Sequence, residues 1–438
     1  MLKKNFFFNK TFLIYGFGLS GKSAFEFLKK NNTCIIYDDN KKKISEKYNN
    51  FLIKKTKLNK VKFNYIIISP GINIEKCKLK NFIKKNYSKI ITELDIFQFC
   101  YPSIKKVAIT GTNGKSTTSK IIHEACLESK IDARLTGNIG RSILREKEIT
   151  KKTLFIIEVS SYQSQYSKYF QSDYSLIINI SPDHLERHRT FSKYVDAKIK
   201  IILNQKKNDV SIIDNDRYLI DRIKKNKLNS NLITLKYSKY NKFKKKITNK
   251  YFSLNANFKN LCFLFEISKY LKLKNKNIFK AVNRFEPLKY RQQLVYDNQY
   301  LKIINDSKST SYASSIPLLE NQNKIFWILG GTAKKGDKFL LNKKYYKNIN
   351  AYIFGKDKNF FFKSLNKKIK FKYKKNLDDI LDLLFFDLKK LNKKNSKKIT
   401  ILFSPAAASF DQYENFEKRG QNFNFLIKKK IKLHEQIF

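Results

Sequence analysis

Glycine, proline, cysteine, histidine and acidic residues are all scarce in this 438-residue chain. The five cysteines, Cys34, Cys77, Cys100, Cys126 and Cys262, are odd in number and widely spaced, with no Cys-x-x-Cys pair. That argues against a disulfide framework or a thiolate zinc site and fits a reducing compartment. No apolar run approaches the ~18–20 residues of a membrane span. The Met1–Leu13 stretch is broken at Asn9-Lys10-Thr11 and has no small-residue cleavage site, so it reads as the lead-in to a first strand and not as a signal peptide. A cytoplasmic protein is expected.

Acidic residues number 36 against 91 basic ones, a formal net charge of +55. Only ten of the basic residues are arginine, and the lysines are spread over the whole length beside abundant Asn, Ile, Phe and Tyr. A nucleic-acid reader concentrates charge on one face and uses arginine for bidentate contacts, so the excess reads as a compositional bias and no specific nucleic-acid partner is expected. Apolar residues at 42% and aromatics at 14% exclude a disordered chain.

Glycine numbers 13, under half the ordinary share of ~7%. A chain this poor in glycine keeps it where a side chain is hard to accommodate. Most of the glycines follow a β-like run: Gly16, Gly18 and Gly21; Gly71; Gly111 and Gly114; Gly137 and Gly140; Gly330, Gly331 and Gly336. Short apolar runs alternate with amphipathic stretches almost throughout. Strands are expected at 11–15, 33–37, 65–69, 106–110, 154–159, 175–180, 210–214, 301–305, 325–329, 351–354 and 399–403. Helices are expected at 22–30, 115–129, 191–204, 258–271 and 377–391. The alternation predicts an α/β fold with largely parallel sheets. Three blocks follow, at 1–103, 104–286 and 287–438, with a hinge near Pro287. The Lys- and Asn-rich stretch 224–250 reads as a solvated excursion.

The buried run Lys106–Thr110 leads into Gly111-Thr112-Asn113-Gly114-Lys115-Ser116-Thr117 and then a helical pattern. Such a loop binds a nucleoside triphosphate: its backbone N–H groups approach phosphate oxygens, and the helix N-terminus adds its dipole. Lys115 can reach the β- and γ-phosphates and Ser116 can ligate Mg²⁺. Ile109 stands where the Walker A spacing needs glycine, so the loop is a shorter relative, G-x-x-G-K-S. Glu158 puts a carboxylate at the end of another buried strand, which is costly unless it is paired or metal-bound. It is a candidate Mg²⁺ ligand; the alternative is an ion-paired structural glutamate. The stretch Asp183-His184-Leu185-Glu186-Arg187-His188 holds two of the four histidines, and His184 can ligate a second metal or orient a phosphate. Gly16-Phe17-Gly18-Leu19-Ser20-Gly21, with Asp38 and Asp39 following 17 and 18 residues after Gly21, matches a dinucleotide fingerprint and taken alone would indicate NAD. The same geometry can hold another diphosphate. Ser69-Pro70-Gly71-Ile72 looks like a further ligand turn.

Together these residues resemble the Mur ligase family over essentially the whole length. The markers are G-T-N-G-K-S-T at 111–117, E-V-S-S-Y-Q at 158–163, D-H-L-E-R-H at 183–188, N-D-S-K-S-T at 305–310, G-G-T-A-K at 330–334, S-P-A-A-A-S-F-D-Q-Y at 404–413 and N-F-E-K-R-G at 415–420. The last four resemble the branch that adds D-glutamate. The resemblance implies three domains: a Rossmann-like domain at 1–103, a central P-loop ATP domain at 104–286 and a Rossmann-like C-terminal domain at 287–438.

It implies an ATP- and Mg²⁺-dependent ligase joining D-glutamate to UDP-N-acetylmuramoyl-L-alanine through an acyl phosphate. That would place it in cell-wall synthesis, and so in cell shape and division. The UDP substrate would be held by Gly16, Gly18, Leu19, Ser20, Asp38, Asp39, Ser69, Gly71, Asn138, Ser160 and Gln163, which removes the NAD reading. ATP would be held by residues 111–117 with Asn257, Asn260, Arg291 and Asp306. Lys308, Thr310, Lys334, Ser409 and Phe416 would line the D-glutamate end, and a basic pocket suits a dicarboxylate. Lys198 falls where the family carries a carbamylated lysine. The catalytic set would be Lys115, Glu158, His184 and Lys198, with Ser116, Glu158, His184 and carbamylated Lys198 around Mg²⁺. Closure of the last domain would keep water from the acyl phosphate, and a monomer acting on small molecules is expected. The chain departs from the family's frequent residues at Ala256, Ala407, Tyr290 and Asn40.

Overall fold

The computed structural model describes residues 6–41, 44–320, 323–334, 336–391 and 398–434. The start of the Met1–Leu13 lead-in therefore lies outside the described residues. The chain forms two compact units. The first holds residues 1–180, 187–249 and 257–285, and the second holds 181–186, 250–256 and 286–438.

The first unit carries two sheets. One contains β1 (Thr11–Tyr15), β2 (Thr33–Tyr37), β3 (Tyr65–Ile68) and β4 (Ile90–Ile91), all parallel in the order β2-β1-β3-β4. The other contains β5 (Lys105–Thr110), β6 (Ala133–Gly137), β7 (Leu154–Glu158), β8 (Tyr174–Ile177), β9 (Val210–Ile213) and β10 (Asn231–Thr234), parallel in the order β10-β9-β8-β5-β7-β6. Helices cover both faces of such sheets, so strands like TFLIY and LFIIE are continuous apolar runs and not alternating ones. The two sheets share one core: Phe97 before β5 packs on Phe155 of β7 with ring centroids 4.7 Å apart. In each sheet the strand order reverses beside the first strand, β1 or β5. The loop after that strand lies at the carboxyl edge, where α/β sheets bind ligands.

The second unit carries β11 (Gln293–Asp297), β12 (Leu301–Asn305), β13 (Ile325–Gly330), β14 (Ile349–Phe354), β15 (Lys370–Tyr373) and β16 (Ile399–Phe403). Their order is β11-β12-β16-β13-β14-β15, parallel except for the antiparallel β11–β12 pair. The three sheets match the expected α/β class.

The 224–250 stretch is solvated over most of its length, as expected, and it is also structured. It contains β10, buried Leu235, and a 3-10 segment Tyr237–Lys246 whose Tyr240 is buried. Tyr240 stacks on Phe265 at 5.7 Å and its hydroxyl bonds the Glu266 carboxylate, while Phe243 packs on Phe265 at 4.7 Å. Aromatics spaced among the lysines anchor the segment to the helix Asn255–Tyr270. No helix among the described residues is long and apolar enough to cross a membrane.

Candidate active site

The phosphate loop joins β5 to the helix Lys115–Glu128. Gly114 caps that helix with φ +79, and a Cβ there would stand 2.5 Å from Asn260 Oδ1, so the loop admits only glycine at this point. Asn257 and Asn260, expected to hold ATP, are both buried, and Asn260 lies against the loop at Gly114. Lys115 Nζ donates to Gly111 O at 2.9 Å and to Thr112 O at 2.8 Å. Asn179, just beyond β8, grips the loop from the side. Its Oδ1 accepts from Thr112 N at 3.0 Å and Asn113 N at 2.8 Å, and its Nδ2 donates to Asn113 O at 2.8 Å.

Lys198 comes from the helix Phe191–Leu203 and is 1% exposed. Its Nζ donates to Gly111 O at 2.6 Å and lies 4.6 Å from the centroid of the Tyr194 ring. The Tyr194 hydroxyl is 3.0 Å from Thr112 Oγ1. Helix and phosphate loop are thereby tied at two points.

Glu158 ends β7 and is 1% exposed. Its Oε1 accepts from Asn138 Nδ2 at 2.7 Å, while Oε2 is buried without a hydrogen-bond partner. A carboxylate oxygen so placed calls for a cation. Ser160 and Gln163 cap the short helix Ser161–Gln165 reciprocally: Gln163 Oε1 accepts from Ser160 N at 2.9 Å, and Ser160 Oγ accepts from Gln163 N at 3.3 Å. Ser116 and Thr117 begin the helix after the loop, with Ser116 buried.

At the first sheet, the Gly16–Ser20 loop leaves β1, and the helix Leu19–Leu28 starts with Leu19 80% exposed. Gly21 packs so close that a Cβ would meet Gly16 O at 2.0 Å. Gly18 and Gly71 meet nothing of this kind and stay open. Ser69 Oγ donates to Gly16 O at 2.5 Å. Asp38 Oδ2 accepts from Phe17 N at 2.6 Å and Oδ1 from Asn40 N at 2.8 Å, so this carboxylate braces the glycine loop. Asp39 accepts from the Tyr15 hydroxyl at 2.9 Å. Ser20 bonds the buried Glu93 carboxylate, which Ser142 also bonds; burial pushes the Glu93 pKa up.

In the second unit, Asp306 follows β12 and is buried. Its Oδ1 accepts from Gln292 N at 3.1 Å and its Oδ2 from Ser404 Oγ at 3.2 Å. Burial pushes its pKa up to about 7, against the pull of Arg291 and Arg419. Lys308 Nζ lies 4.2 Å from the Phe416 ring centroid, and the Arg291 guanidinium lies 5.8 Å from it. Lys334 pairs with Asp183, whose Oδ1 also accepts from His184 N at 2.9 Å. His184 has φ +54, and its ring nitrogens lie 3.4 Å from Asp183 and Glu186. Ser409 is buried, its carbonyl holding Tyr413 N at 2.9 Å, and Thr310 lies two residues before the helix Tyr312–Leu319. The structure therefore groups Lys115, Lys198 and Asn260 around the loop, Asn138 with Glu158, and Lys308, Arg291 and Phe416 together. His184 and Lys334 belong to the second unit.

A model of the Mur ligase middle domain matches residues 109–279. The UDP-N-acetylmuramoylalanine--D-glutamate ligase of Fusobacterium nucleatum is 32% identical, with 96% of this chain and 99% of that protein covered. The chain belongs to the Mur ligase family. A relative of the same name from Rickettsia bellii is 29% identical over 94% of this chain and 95% of its own length. The solved structure of a MurF ligase from Thermotoga maritima in complex with ADP shares the fold. It is 16% identical, with a TM-score of 0.54, and 98% of each chain is covered.

Two residues of this Mur ligase escaped the sequence reading. Asn179 stood in the strand-end stretch without a role, although an asparagine directly after a buried strand and level with the phosphate loop is a usable signal. Arg187 stands within D-H-L-E-R-H, where nothing in the sequence sets it apart. The residues present fit a metal ion: Glu158 Oε2 is buried and unpartnered, and Ser116 stands in the first turn of the helix after the loop. Among the described residues no group of three or more His, Cys, Asp or Glu is gathered for a metal ion.

Proposed function

We propose that this Mur ligase joins D-glutamate to UDP-N-acetylmuramoyl-L-alanine, converting ATP to ADP and phosphate, in peptidoglycan precursor synthesis. Near-full-length likeness to relatives that carry this activity in their names supports the reading. Residues 1–103 would bind the UDP substrate, 104–286 ATP, and 287–438 D-glutamate.

The γ-phosphoryl group passes to the L-alanine carboxylate and gives an acyl phosphate. The amine of D-glutamate attacks its carbonyl carbon, the tetrahedral intermediate collapses and phosphate leaves. Two anions meet in the first step, so positive groups must be fixed in advance. Lys115 and the N-terminus of its helix supply them at the phosphates. Asn179 keeps the loop in shape and Asn260 lies against it. Mg²⁺, held by Ser116, Glu158, His184 and carbamylated Lys198, would supply charge neutralisation at the phosphoryl oxygens. A bare ammonium at Lys198 would repel the cation, whereas its carbamate is an anion. Lys308, Lys334, Thr310, Ser409 and Phe416 receive D-glutamate, the lysines matching its two carboxylates. Arg291, Asp306 and Asn257 serve the nucleotide.

Mass spectrometry of the nucleotide product tests the reading. One added glutamyl residue is expected with D-glutamate and none with L-glutamate; equal addition of both would contradict it.

A further inference from the structure

Arg187 is a buried cation that the proposed reaction does not use. It lies in the helical turn Leu185–His188 and is 8% exposed. Its Nε donates to Gln165 Oε1 at 2.8 Å, and its Nη2 donates to Ile72 O at 2.6 Å and Pro70 O at 3.3 Å. The guanidinium lies 5.0 Å from the Tyr162 ring centroid and 5.4 Å from that of Tyr166. The Tyr166 hydroxyl in turn accepts from Ile74 N at 3.2 Å. Burial pulls the guanidinium pKa down.

The segment that Arg187 grips is the Ser69–Ile72 turn, closed by Ile72 N donating to Ser69 O at 3.0 Å. That turn is in contact with the glycine loop. Ser69 Oγ donates to Gly16 O, and a Cβ on Gly16 would stand 2.8 Å from Ser69 Cβ and 3.0 Å from Ile72 Cγ1. Arg187, Tyr162 and Tyr166 all follow strands of the β5–β10 sheet, while the turn and the glycine loop leave strands of the four-stranded sheet. An apolar staple would join the two sheets with less desolvation. It would not fix the direction of two carbonyls. A guanidinium does that while lying over two rings, and a lysine, with a compact ammonium and no planar fork, does not.

We infer that Arg187 is a positioning residue that clamps the Ser69–Ile72 turn, and through it the Gly16 loop, so that the uridine diphosphate end of the substrate is held in register with the β5–β10 sheet. The inference rests on the uridine-side role proposed for the glycine loop.

The test compares wild type with R187K, R187A and Q165M, by steady-state kinetics and by calorimetric titration with UDP and, separately, ADP. R187K should raise the KM for the UDP substrate and the Kd for UDP about tenfold, the scale of one charge-assisted hydrogen bond. Its kcat, KM for ATP and Kd for ADP should stay within about twofold of wild type. R187A should lose more, and added guanidinium should restore part of the uridine-side affinity. Q165M removes only the acceptor of Nε and should shift UDP affinity less, in the same direction, which keeps the test valid if R187A does not fold. UDP affinity in R187K and Q165M equal to wild type, with or without a lower melting temperature, would overturn the clamp. A wild type that binds ADP and no UDP would overturn the uridine-side reading itself, and the clamp with it.

Discussion

Lys198 is one lysine in a chain full of them, yet its ammonium is buried 2.6 Å from a phosphate-loop carbonyl. Composition hid it, and only the family resemblance marked it. A physical signal was nonetheless there. Val195, Ile199 and Ile202 define the apolar face of the helix Phe191–Leu203, and Lys198 falls on that face, three residues after Val195 and four before Ile202. Burying a lysine's charge costs free energy unless the site uses it. K198A should therefore lower turnover by about 100-fold or more, with circular dichroism unchanged and no recovery on adding bicarbonate. Near-normal phosphate release by K198A would sink the carbamate role. Glu158 was more legible, because a carboxylate at the end of LFIIE is conspicuous. Its unpartnered Oε2 depends on where Asn138 lands, which sequence does not specify.

At the scale of elements, the candidate residues Glu158 and Asp306 and the Gly111–Thr117 loop lie at or just past the carboxyl ends of strands. Asp306, one residue past β12, shows what that placement does to an acid. Its folded pKa, about 7, lies above the ordinary 3.8, so the folded state favours its protonated form. That contribution is fully present below the unfolded pKa and is lost as pH rises through the folded one. Between pH 5 and 8, without nucleotide, the wild-type chain should lose on the order of 3 kcal/mol relative to D306N, read from urea midpoints. Identical pH profiles would contradict it. Several central strands were legible: β1 and β16 are largely apolar runs buried on both faces. Edge and short strands were not. β15, KFKY, alternates lysine with aromatics; β6, ARLTG, carries an arginine and ends in glycine; β4 has two residues. Their pairing is dictated by neighbours and not by local propensity. The same reason explains the 224–250 stretch, where Tyr240 and Phe243 find partners on a distant helix.

For the whole molecule, the charge of +55 and the assembled sites point to different biochemistry. A lysine surface of this size attracts polyanions without specificity, through an interaction that falls steeply with salt. The three parallel-rich sheets and the near-full-length likeness to Mur ligases point to small-molecule ligation. The direct discriminator is phosphate release from ATP at moderate salt, with UDP-N-acetylmuramoyl-L-alanine and D-glutamate each omitted in turn. Release that needs both, fails with L-glutamate and ignores added RNA is the predicted result. Release that proceeds without either substrate and rises with RNA or DNA would contradict the ligase account and make the charge the determinant of function.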